Sequence, residues 1–198
     1  MIEHIQATLN QAKVALDNLY NNPQQLQHIA DAAAILTTSL SAKGRVLTCG
    51  NGGSMCDAMH FAEELSGRFR HDRPAMAATA ISDPSFITCV ANDYGYDQVF
   101  ARYVEGHGRE GDILLAISTS GTSQSVVLAA IAARKAGMNV IALTGRPGSV
   151  LEQHADVCIC TPGGQYADRA QELHIKVIHI LIELVERALH PANYVKSH

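Results

Sequence analysis

Five short apolar runs punctuate the chain: "RVLTC" (45–49), "MAATAI" (76–81), "DILLAI" (112–117), "NVIALT" (139–144) and "DVCIC" (156–160). Most are apolar almost throughout rather than alternating, the pattern of strands covered on both faces. Helical patterns lie between them, near 54–66, 84–107 and 123–137. Strands alternating with helices imply a parallel sheet wrapped by helices through right-handed crossovers. Two amphipathic helices precede the first strand, at 2–20 and 24–43, separated by "NNPQQ". A last helix is expected from about Tyr166 to Leu189, and its segment "IKVIHILIELV" is apolar on more than one face. Such a helix is either central to a core or buried between subunits, and the small sheet favours the interface. The 198 residues hold no repeats, low-complexity tracts or long linkers, so one domain is expected: a helical pair over 1–43, an α/β core over 44–190 and a tail over 191–198.

Composition narrows the partners. A net charge of -4 with no basic cluster argues against nucleic acid or an anionic membrane. No apolar run approaches the roughly 20 residues of a membrane-spanning helix. The polar-rich start "MIEHIQATLNQAKVALDNLY" does not read as a signal peptide. Five cysteines, an odd count without a CxxC spacing, suggest reduced thiols and a cytoplasmic location.

In open parallel sheets ligands bind beyond the carboxyl ends of the strands, so the loops there carry the functional signal. "CGNGGS" (49–54) follows the first strand and "STSGTSQS" (118–125) the third, each opening a helix. Six of the eight residues from Ser118 to Ser125 carry a hydroxyl. Simple N-capping accounts for one or two of them. A helix N-terminus with free N–H groups, a glycine that lets backbone approach, and extra hydroxyl donors make a phosphate cradle that needs no lysine. The loops lack both GK[ST] and GxGxxG, which favours a single phosphate on a small molecule over a nucleotide. In "MHFAEEL", His60 and Glu64 are four apart on one helix face. They could bind a metal, act as base and partner, or form an ordinary helical pair. Gln171, His174 and His179 crowd the start of the last helix, and Asn92 and Asp93 in "VANDYGYD" (90–97) form a further polar turn.

Together, "CGNGGS", "DAMHFAEEL", "AISD", "ANDYGYD", "EGDILLAISTSG", "ALTGRPG" and "YADRAQELHIKVIHILIELVE" resemble the sugar-isomerase, or SIS-domain, family in its heptose-phosphate branch, from about residue 5 to 188. The resemblance implies an α/β fold, a flavodoxin-like, doubly wound sheet of five parallel strands, assembled as a homotetramer with active sites between subunits. It implies an aldose–ketose isomerase that takes sedoheptulose 7-phosphate to D-glycero-D-manno-heptose 7-phosphate, the first step of ADP-heptose synthesis for the lipopolysaccharide inner core. Some SIS-fold relatives instead bind a replication initiator or sense sugar phosphates. Carried onto this sequence, Ser118, Thr119, Ser120 and Ser123 would hold the phosphate. Asn51, Gly52, Gly53, Asn92, Asp93 and Gln171 would contact the sugar. Glu64 would be the base and His179 the acid. One Zn2+ per subunit would sit among His60, Glu64, Gln171 and His179. Gln171 and His179 are eight residues apart, about 12 Å along an ideal helix, so one ion could not reach both without a distorted helix or a neighbouring chain.

Overall fold

Each apolar run overlaps a strand in the computed structural model, which describes residues 1–195; residues 196–198 of the expected tail lie outside the described residues. The strands are β1 (Val46–Gly50), β2 (Ala78–Ala80), β3 (Ile113–Ser118), β4 (Asn139–Thr144) and β5 (Val157–Cys160). The helices are α1 (Ile2–Tyr20), α2 (Pro23–Ser41), α3 (Gly53–Ser66), α4 (Pro84–Tyr94), α5 (Val99–His107), α6 (Gln124–Lys135) and α7 (Ala167–Leu189). All strand pairs are parallel, in the order β2-β1-β3-β4-β5.

The continuous apolarity of the strands has a direct cause. Alternate side chains of one strand enter different cores. Ile113, Leu115 and Ile117 of β3 join α1, α2, α3 and α7 on one face. Leu114 and Ala116 join α4, α5 and α6 on the other. Helix starts follow local chemistry. The Asn22 side chain accepts from Gln25 N–H ahead of α2, and Asp83 accepts from Phe86 N–H ahead of α4, each with proline at the first helical position.

Two expectations change. The single helical stretch at 84–107 is two helices, because Gly95 takes φ 89 and a short turn at Tyr96–Gln98 intervenes. The second concerns α7, expected to lie mainly in a subunit interface. Leu173, Val177, Ile178, Leu181, Ile182 and Val185 are already buried within the chain. The sequence pattern could not show that α1, α2 and α3 all pack on this helix.

Candidate active site

The strand order places the site. The chain runs from β1 out to β2 and returns to the other side of β1 at β3, so the crevice of a doubly wound sheet opens between the carboxyl ends of β1 and β3. The two loops singled out by sequence flank this crevice. Gly52, with φ 56, supplies the left-handed turn between β1 and α3. At Gly53 a Cβ would stand 2.5 Å from Gln171 Nε2, so the absence of a side chain lets α7 come close. Asn51 bridges the crevice: its Nδ2 donates to Ser125 Oγ at 2.9 Å, and its Oδ1 accepts from the Tyr96 hydroxyl at 2.8 Å.

The hydroxyl loop is a cluster rather than a row of caps. Ser118 Oγ lies 3.2 Å from Ser123 Oγ and 3.4 Å from Ser120 Oγ. Gly121 N–H donates to Ser118 Oγ, and Thr122 N–H to Ser120 Oγ. Ser123, at the N-cap of α6, makes no side-chain capping bond; Val126 N–H bonds the Ser123 carbonyl, which leaves the N–H groups of Gln124 and Ser125 for a ligand. A cavity of about 230 Å³ opens on Thr119 and Ser120 and is lined also by Gly145, Arg146 and Tyr166. Neutral donors and a helix N-terminus converging on one point suit an oxyanion.

On α3 the residues Gly53, Asp57, His60 and Glu64 fall on one face, and this face meets α7. His60 Nε2 and His179 Nε2 are 2.9 Å apart, and Glu64 Oε1 is 3.4 Å from His60 Nε2. One ligand atom from each of the three lies within 4.8 Å of the others. Two imidazole nitrogens and a carboxylate oxygen at this spacing fit one divalent ion at about 2.0–2.2 Å from each. Burial, with the neighbouring His60 next in size, lowers the His179 pKa, which favours the neutral imidazole that a metal needs. Glu63, one residue before Glu64, lies 3.7 Å from the other nitrogen of His60.

Gln171 stands apart from this cluster within the chain. The helix carrying it is regular throughout, and its amide lies over Gly53, seven residues or about 10 Å along α3 from His60. Asn92 and Asp93 occupy the exposed last turn of α4, where Asn92 Nδ2 donates to Asp93 Oδ1 at 2.7 Å. Their turn meets the crevice through Tyr96. Two residues of the site escaped the sequence reading. Tyr96 holds Asn51 from the polar turn at 90–97, where the sequence pointed to Asn92 and Asp93 instead. Asp57 has a buried Oδ2 with no partner, and burial pushes its pKa up to about 6 against the lowering influence of His60. Its position three residues before His60 on the same face was the available clue.

The SIS domain family matches residues 9–145 of this chain. The chain is 55% identical to the phosphoheptose isomerase of Edwardsiella ictaluri over 185 residues, 93% of this chain and 96% of that protein. Among solved structures, the phosphoheptose isomerase of Neisseria gonorrhoeae aligns with TM-score 0.86 at 37% identity, covering 93% of this chain and 97% of that one. The enzyme of Francisella tularensis aligns with TM-score 0.88 at 34% identity, covering 94% and 98%. The chain belongs to the phosphoheptose isomerase family of SIS-domain proteins. Among the described residues, no helix is long and apolar enough to cross a membrane.

Proposed function

We propose that this chain isomerises sedoheptulose 7-phosphate to D-glycero-D-manno-heptose 7-phosphate, at the start of ADP-heptose synthesis for the lipopolysaccharide inner core. The observation that carries this reading is the meeting of His60, Glu64 and His179 on the helix pair beside the crevice. A protein that only binds or senses sugar phosphates, or docks on a replication initiator, has no chemical need for such a cluster. The phosphate rests on Ser118, Thr119, Ser120, Ser123 and the first turn of α6. The β1–α3 turn, with Asn92, Asp93 and Gln171, faces the sugar hydroxyls. The seven-carbon chain then carries C1 and C2 away from the cradle toward α3 and α7.

Isomerisation removes a proton from C1 of the ketose and delivers one to C2, while the charge on the oxygens is stabilised. Glu64 is the base. His179 is the acid: with one ring nitrogen taken up by a metal, the other would keep its N–H as a donor to a substrate oxygen. His60, Glu64 and His179 would hold one Zn2+ per subunit, which would supply Lewis-acid stabilisation to a developing oxyanion. Gln171 reaches an ion only from a neighbouring subunit, which accords with a homotetramer whose sites are shared. Reduced thiols accord with the cytoplasm, and the described residues act as one SIS domain. The test is turnover: purified protein with sedoheptulose 7-phosphate yields the aldose by NMR, and a persistently unchanged ketose overturns the reading.

A further inference from the structure

Arg73 and Glu186 form a buried ion pair outside the crevice, with side chains 1% exposed on both sides and Nε 2.9 Å from Oε1. Removing two charges from water is costly, and well-packed apolar residues in their place are often as stable or more so. The pair's value is therefore directional, and its hydrogen bonds show the direction. Arg73 Nη2 donates to the Glu64 carbonyl at 2.7 Å, and Nη1 to the carbonyls of Leu65 and Gly67 at 2.8 and 3.0 Å. These are the orphan acceptors at the end of α3, the turn that carries Glu64. The second oxygen of Glu186 accepts from the Tyr194 hydroxyl at 2.7 Å. Burial and Glu186 push the Tyr194 phenol up to about 12, so it remains a donor at neutral pH.

The segment from Gly67 to Pro74 is thereby strapped along one face of α7, in register. Phe69 packs on the His179 ring at 5.7 Å between centroids. Arg70 pairs with Glu183 at 2.7 Å, one turn further on, and Arg73 meets Glu186 beyond it. Asn193 closes the strap from the tail by donating to the Asp72 carbonyl at 3.0 Å.

We propose that Arg73, Glu186 and Tyr194 are positioning residues that hold Glu64 and His179 in ligand and acid–base geometry by locking the end of α3 to the second half of α7. The inference rests on the isomerase reading of the His60–Glu64–His179 cluster and extends it to residues that touch neither substrate nor metal. Interactions one layer out from ligands typically govern affinity or activity by about 10–100-fold.

Three variants test it: Glu186→Gln, Tyr194→Phe, and the double change Arg73→Met with Glu186→Leu, which replaces the pair by apolar groups. The measurements are melting temperature, kcat and KM on sedoheptulose 7-phosphate, and Zn2+ affinity by chelator competition. A positioning role predicts folded Glu186→Gln and double variants with kcat about tenfold lower, KM held, and Zn2+ bound about tenfold more weakly. Tyr194→Phe shifts both in the same direction by less, and it removes one hydroxyl only, so the test survives if the harsher variants do not fold. Folded variants with native kcat and native Zn2+ affinity overturn the proposal. The native protein run alongside separates the two claims: failure to turn over the sugar retires the isomerase reading, while the zinc affinities decide the network by themselves.

Discussion

At the scale of residues, the proposed chemistry is concentrated in three side chains from two helices. Glu64→Gln and His179→Gln keep the size of the side chain and remove a base or an acid. Each is expected to lower kcat by about 10²–10⁴-fold while the melting temperature stays near native. Near-native kcat in either variant would contradict the assignment. Metal removal separates two duties of Glu64, because a coordinated carboxylate is a poorer base. Exhaustive chelation is expected to abolish turnover, and zinc add-back to restore it. Full activity in demonstrably metal-free protein would leave a plain acid–base pair and remove zinc. The His60–Glu64 pair was legible because four-residue spacing is visible in one helix. That His179 faces His60 at 2.9 Å was not legible from spacing, since it depends on the register of α3 against α7. Resemblance supplied it instead, together with Gln171, which in one chain lies over Gly53.

At the scale of elements, strand positions were readable because burial on both faces leaves strands apolar throughout. "NVIALT" matches β4, Asn139–Thr144, residue for residue. Strand β2 shrinks to Ala78–Ala80, which pairs on one side only, with β1. The break at Gly95 falls inside the polar turn legible in "VANDYGYD" (90–97), but the helical periodicity resuming beyond it masked the division into two helices. The β3–α6 loop acts as one element, its hydroxyls bonded to one another as well as available to a ligand. Ser120→Ala removes a hydroxyl at the centre of that cluster. Losing one hydrogen bond to a charged group costs about 1.5–3 kcal/mol, so binding is expected to weaken about 10- to 100-fold, with KM rising and kcat less affected. The check is steady-state kinetics beside the same measurement with a phosphate-free heptulose. Equal binding of the phosphate-free sugar by the native protein would overturn the loop's role.

At the scale of the whole molecule, an apolar seam on α1 is exposed among the described residues. Ile2, Ile5, Leu9 and Leu16 of α1 are 71%, 53%, 64% and 39% exposed. Their spacing of three, four and seven residues sets them along one seam of the helix, the arrangement that pairs helices. The proposed tetramer accounts for that seam, and shared sites account for Gln171. Replacing both Ile5 and Leu9 by aspartate is expected to reduce the light-scattering mass and abolish activity together; a fully active monomer would contradict shared sites. The most direct test of proton transfer at Glu64 and His179 is isomerisation in D2O, followed by NMR. Glu64 is 17% exposed and His60 37% in the single chain, so water reaches the cluster there. The account predicts aldose product carrying deuterium at C2. Aldose in which the C1 hydrogen has moved wholly to C2, or no aldose at all, would contradict it.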